Sequence, residues 1–263
     1  MTLAPGTIVG RIIGLWRYPV KSMRGEVLAN VEAGEGGFVG DRAFGVVDVA
    51  TGHLLSAKRV PELLRAHAMF RNDGEATIVL PDGRVIGSDD PEVDERLSAW
   101  LGRGVFLDRP TAGQRGRIEI ETDLDDPSVV REFQTRPGLF FDSVVMHLVT
   151  DASLRAAAAF HPAGPWVAER FRPNVLVESV VGEGFIEDSW VGSALDVSGM
   201  RVDVQKRCQR CVLVTRAVGA TPTDKDVLRT LAREHGGDLG VNAHVSGAGR
   251  VLVGDDLVVT TAP

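Results

Sequence analysis

A succession of short β-branched and apolar runs, each cut off after a few residues by glycine, proline or aspartate, sets the limits on how this chain can fold. Such runs cover Ile8 to Trp16, Phe44 to Asp48, Thr77 to Leu80, Val144 to Val149, Asn174 to Glu178, Val202 to Gln205, Cys211 to Thr215 and Arg250 to Val259. Asp73-Gly74 and Asp82-Gly83 flank the Thr77 run and predict hairpin turns there. Helical periodicity is confined to Pro61 to Met69, Glu92 to Leu101, Asp151 to Phe160 and Asp224 to His235, with Asp151 and Thr223 as expected N-caps. Strands outnumber helices and do not alternate with them. The expected class is therefore β-rich, mainly β with an α+β character: barrels or antiparallel sheets with helices at their ends. The polar stretch Arg109 to Ser128 separates two β-rich halves, which places a domain boundary between 1–116 and 117–263.

Charge narrows the partners. Lys and Arg total 29 against 36 Asp and Glu, a net charge of -7. An acidic chain without a basic run is a poor phosphate-tracking nucleic-acid binder. No apolar run approaches the roughly 18 residues of a spanning helix, and Met1 to Gly10 lacks the basic and apolar regions of a secretory signal, so a cytoplasmic protein without membrane attachment is expected.

Only two cysteines occur, in Lys206-Arg-Cys-Gln-Arg-Cys. They form no disulfide framework and cannot supply four thiolates to an iron–sulfur cluster. A thiolate at Cys211 would be both nucleophile and soft metal ligand, helped by the cations Lys206, Arg207 and Arg210. A buried core cysteine, or one arm of a redox Cys-X-X-Cys pair, reads the same motif differently. The histidines form no tight pair with each other or with the cysteines, so zinc has little support.

Several motifs then occur in one order: Tyr18-Pro-Val-Lys-Ser-Met-Arg-Gly, Gly40-Asp-Arg-Ala-Phe, Thr51-Gly with Ser56-Ala-Lys, Phe171-Arg-Pro-Asn, Asp188-Ser-Trp, Arg207-Cys-Gln-Arg-Cys and Val253-Gly-Asp. This ordered set resembles a MOSC N-terminal β-barrel domain joined to a MOSC domain, and it is similar to the mitochondrial amidoxime-reducing components and their bacterial relatives. The resemblance implies a molybdenum cofactor (Mo-molybdopterin) whose metal is held by the dithiolene sulfurs and by one protein cysteine, here Cys211. Cys208 then becomes a neighbour rather than a second ligand. Lys21, Ser22 and Arg42 from the first half, and Arg172, Asn174 and Arg210 from the second, would hold the pterin and its phosphate between the domains. Thr150 and Asn242 fall near further pocket positions, with Asn242 standing where relatives are expected to carry tyrosine. The family is also associated with pyridoxal phosphate binding.

The activity implied is reduction of N-hydroxylated small molecules. With the chain ending at Pro263 and no ferredoxin-like extension, the expected reductant is a separate flavin or iron–sulfur protein. Two other readings stay open. One is a sulfurtransferase that carries a persulfide on Cys211; the other is a non-enzymatic module binding an anion through Lys21, Arg42 and Arg172.

Overall fold

The computed structural model describes residues 4–123, 126, 128–141, 145–180 and 182–260. The chain opens on a ten-residue strand, β1 (Ile8–Arg17), followed by β2 (Glu26–Leu28), β3 (Asn30–Gly34), β4 (Gly37–Phe38) and β5 (Gly45–Asp48). A meander of β6 (His67–Phe70), β7 (Ala76–Val79) and β8 (Val85–Gly87) comes next, turning at the two Asp-Gly pairs as expected. Helix α1 (Val93–Leu101) ends on Gly102 in the left-handed conformation, and β9 (Val105–Asp108) then pairs with β5. These elements enclose a core of Val20, Phe44, Val46, Leu63, Ile78 and Leu97, all buried.

The second half begins with the hairpin β10 (Arg117–Glu121) and β11 (Val130–Gln134). Then come β12 (Met146–Thr150), helix α2 (Asp151–Phe160), helix α3 (Ala168–Phe171) and β13 (Val175–Ser179). Strands β14 (Ala194–Val197), β15 (Met200–Gln209), β16 (Asp238–Ser246), β17 (Gly249–Leu252) and β18 (Asp256–Thr260) complete the order, with α4 (Asp226–His235) packed outside. The sheet runs β13-β12-β16-β15-β14-β18-β1, and β1 pairs back onto β13. It is thus a closed barrel without a free edge, which answers the hazard of exposed strand edges. All its pairings are antiparallel except β12 with β13, whose parallel register needs the crossover that α2 and α3 provide. Inside lie Val9, Ile12, Leu148, Val177, Val202, Val241, Val245 and Leu257.

The two cores are not consecutive along the chain. Strand β1 closes the barrel of the second half, and β3 pairs with β17, so a cut at 116/117 leaves barrel strands on both sides. Several local expectations fail. Pro61–Arg65 is a 3₁₀ turn and His67–Phe70 a strand, because pairing with β7 outweighs the short apolar spacing that suggested a helix. Val212–Thr215 is a 3₁₀ turn rather than a strand. The N-cap of α2 is Thr150, whose hydroxyl accepts from the Ser153 amide, one residue before the expected Asp151; α4 starts after Lys225 rather than Thr223. Of the expected run Val144 to Val149, Val144 lies outside the described residues. Among the described residues no helix is long and apolar enough to cross a membrane.

Candidate functional site

A cleft of about 720 Å³ runs between the N-terminal core and the barrel. One wall carries Lys21, Ser22, Arg42, Ser56 and Lys58; the other carries His147, Arg172, Asn242 and the run from Lys206 to Cys211. All charged residues on these walls are cationic except Asp238, in a chain of net charge -7. The field in the cleft therefore opposes the field of the molecule, and it favours an anionic ligand.

The backbone confirms that these walls are specially built. Among the described residues, four non-glycine residues have positive φ, and three of them line the cleft: Ser22 at 69°, Arg42 at 50° and Arg172 at 53°. A left-handed backbone costs such residues on the order of 1–3 kcal/mol each, which persists only when the surroundings hold it. Here they do. The Ser22 hydroxyl accepts from the Ala57 amide at 3.0 Å, the Arg42 amide donates to the Tyr18 carbonyl at 2.9 Å, and Arg172 closes α3 with its amide on Ala168.

Tyr18 and Asp41 hold the two arginines in place. The guanidinium groups of Arg42 and Arg172 both lie over the Tyr18 ring, at 4.5 and 4.2 Å from its centroid, so its π system helps both cations to share one site. Its hydroxyl donates to the Pro173 carbonyl at 3.0 Å, and burial raises the phenol above its ordinary pKa. Asp41, only 5% exposed, accepts from the Tyr18 amide at 2.7 Å, from Asn174 at 2.8 Å and from the adjacent Arg42. Arg172 also donates to the Met23 carbonyl, and Lys21 to the Phe140 carbonyl.

Two expected residues stand behind the wall rather than on it. Asn174 is consumed by the fold, receiving the His147 amide and donating to Asp41 and the Trp16 carbonyl. Thr150 caps α2 and donates at 2.7 Å to buried Glu187, whose carboxyl burial pushes up. Both are polar residues near a pocket whose side chains are fully used for structure. Lys21, Ser22, Arg42, Arg172, Arg210, Asn242 and Cys211 are brought together on the cleft.

Both thiols face this space and both are half-buried. Cys208 is on β15; Cys211 follows the strand and starts the Val212–Thr215 turn, accepting the Val214 amide at its carbonyl. Arg210 folds back, so that Nη1 lies 2.8 Å from Cys208 Sγ and 3.1 Å from His147 Nε2, while Nη2 donates to the Phe171 carbonyl. Its Nε is buried without a partner among the described residues. His147 was missed in the sequence, although a lone polar residue inside the apolar run around it was the available signal. Ser56 and Lys58 belong to a quoted motif but carried no assignment.

Residues 136–258 match the MOSC domain family, and residues 9–98 match the MOSC N-terminal beta barrel domain family. The chain belongs to the MOSC family. It is 25% identical over 236 residues to mitochondrial amidoxime reducing component 2 of Rattus norvegicus, covering 79% of this chain and 67% of that protein. The Homo sapiens protein of the same name is 26% identical over 237 residues, with the same coverage. Among solved structures, the YUAD protein from Bacillus subtilis superposes with a TM-score of 0.52 at 13% identity, covering 97% of this chain and 98% of that one. That likeness speaks for a shared fold alone.

His147 carries a pH signature in this MOSC cleft. Burial, aided by Arg210, pushes its imidazole down to about 3 from the ordinary 6.5. Gly240 leaves it room: a Cβ there, at φ 76°, would lie 2.6 Å from His147 Nε2 and 2.4 Å from the Leu148 carbonyl. The native protein thus binds no proton at His147 across a range where the unfolded chain does. The stability that this contributes is complete above about pH 6.5 and is lost as pH falls toward 3. Denaturant midpoints measured across that window should fall less steeply for His147→Gln than for the wild type. Parallel curves would mean that the native imidazole is already protonated.

Proposed function

We propose that this cleft holds a molybdenum cofactor with the Cys211 thiolate as protein ligand to the metal. The protein then reduces N-hydroxylated compounds with electrons from a separate flavin or iron–sulfur reductase. The observation that carries this reading is that Cys211 borders the same cleft as Lys21, Arg42 and Arg172. A soft thiolate suits a soft metal centre, and guanidinium forks suit the phosphate of a phosphorylated pterin. The fit is supported by the buried Nε of Arg210, which has no partner among the described residues, and by the left-handed backbone that presents Ser22, Arg42 and Arg172. The rat and human relatives, both named as amidoxime reducing components, point to the same chemistry.

When bound, the cofactor would supply two-electron oxygen-atom chemistry: an N–OH group loses its oxygen as water, with two electrons and two protons from the donor. The chain's own residues orient and shield. Arg42 and Arg172 hold the anionic end, and Lys21 adds charge beside them. Phe140 and Phe141, both buried on the cleft wall, keep water from the ligand. Neutral His147 serves as a hydrogen-bonding group that adds no charge near the thiols.

The presence of a second thiol, Cys208, in the same cleft gives the persulfide-carrier reading its one specific support. Elemental analysis by plasma mass spectrometry on freshly purified protein separates the two. Near-stoichiometric molybdenum is expected; protein without metal that releases sulfur to cyanide would reverse the assignment.

A further inference from the structure

Two of three polar side chains in one row on the cleft wall, Lys206 and Asn242 beside His147, remain without an assigned task. The strand register sets Lys206 of β15 opposite Asn242 of β16, and Asn242 opposite His147 of β12. Paired residues share a face, with neighbouring Cβ atoms about 5 Å apart. Their flanking partners Val204, Ala243, Met146, Leu148 and Val241 all belong to the barrel core. Simple alternation from Val204 would send Lys206 into that core as well. A β-bulge between Val204 and Lys206 inserts one residue and turns Lys206 to the opposite face, onto the cleft.

Two members of the row have unmet hydrogen-bonding capacity. Asn242 is 7% exposed and lines the cleft, yet its carboxamide makes no hydrogen bond among the described residues. A buried amide with two donors and one acceptor normally finds partners. Exposed Lys206 has no carboxylate partner among the described residues, whereas the neighbouring Arg207 reaches Asp188 and Asp238. A carboxamide matches a group that presents a donor and an acceptor side by side, as an amidoxime or hydroxamate does. An ammonium one register step away matches an anion.

We propose that Asn242 and Lys206 form the substrate-reading edge of the cleft, selecting N-hydroxylated compounds that carry an anionic substituent which Lys206 receives. This rests on the reading of the cleft as a site for N-hydroxylated substrates. It makes the substrate class polar and charged, and it gives the two residues separate tasks: Asn242 reads the N-hydroxyl head and Lys206 reads the tail.

The test is calorimetric titration of benzamidoxime and its 4-carboxy analogue into protein as purified, with metal content measured on the same samples. Wild type should bind the carboxylate form about 10-fold more tightly, as one well-placed charge pair allows. Lys206→Met should bring the two ligands to equal affinity, and Arg207→Gln should leave the preference in place. Asn242→Leu should weaken both ligands by a similar factor. Equal wild-type affinities, no binding of either ligand, or a preference that survives Lys206→Met would overturn the proposal. So would a Lys206→Met protein that loses metal while keeping the preference, since Lys206 would then serve the cofactor. Absent molybdenum with the preference intact sinks the cofactor reading alone; full molybdenum without it sinks this one.

Discussion

Cys211→Ala should purify as a folded protein that has lost its molybdenum and, with it, more than about 100-fold of its N-hydroxylated substrate reduction, a larger loss than supporting residues around a metal usually cause. The fold has little stake in this sulfur. Cys211 is half-buried at the start of a 3₁₀ turn, its side chain makes no hydrogen bond among the described residues, and its part in the turn is played by its carbonyl. Trimming it to alanine leaves no buried partner stranded, so thermal stability should stay close to that of the wild type. Cys208→Ala provides the contrast. Cys208 Sγ takes the Arg210 guanidinium, so its loss frees a cation without removing the proposed ligand, and most of the metal should remain. Metal analysis and circular dichroism on the two variants decide the matter. Full molybdenum in Cys211→Ala, or its loss only in Cys208→Ala, would move the ligand to the other thiol or away from both.

What the sequence could and could not reveal follows the range of the forces involved. The span of helix α2, though not its cap, was legible, and so were the Asp-Gly turns of the β6-β7-β8 meander, because local geometry determines both. Barrel closure was not. Strand β1 is recognisable from its own residues, but its partners β13 and β18 lie more than half the chain away, and no local signal names them. The run Arg250 to Val259 reads as one strand; the structure divides it into β17 and β18 at the turn through Gly254, whose φ is 102°. Site residues divide in the same way. Arg42 and Arg172 are legible as motif members, whereas their left-handed backbone depends on Tyr18, Asp41 and α3. Asn174 lies within a matched motif and Thr150 near a further pocket position that the resemblance implies, yet buried partners claim their side chains for the fold.

The greatest loss of stability is expected from a residue that touches no ligand. Arg170 is 1% exposed, and its guanidinium donates to the carbonyls of Pro165, Val214, Arg216 and Pro222, at 3.2, 2.7, 3.1 and 2.6 Å. Burial lowers its pKa from the usual arginine value, and Asp224 partly offsets that. Arg170→Met keeps much of the side-chain volume but leaves buried carbonyls without donors, for a cost of about 3–5 kcal/mol. In a chain of this size that corresponds to roughly 10 °C in Tm. Arg170→Lys should recover little, since a single ammonium cannot span carbonyls arranged for a planar fork. Two of those carbonyls, Val214 and Arg216, belong to the turn that starts at Cys211 and to its end. Arg170 therefore connects stability to the position of the thiol, and at temperatures where Arg170→Met is still folded its molybdenum content should fall below that of Cys208→Ala. Thermal denaturation with metal analysis reads both effects. A variant as stable as wild type would mean that water replaces the guanidinium at these carbonyls, and that the turn carrying Cys211 is held by its own backbone.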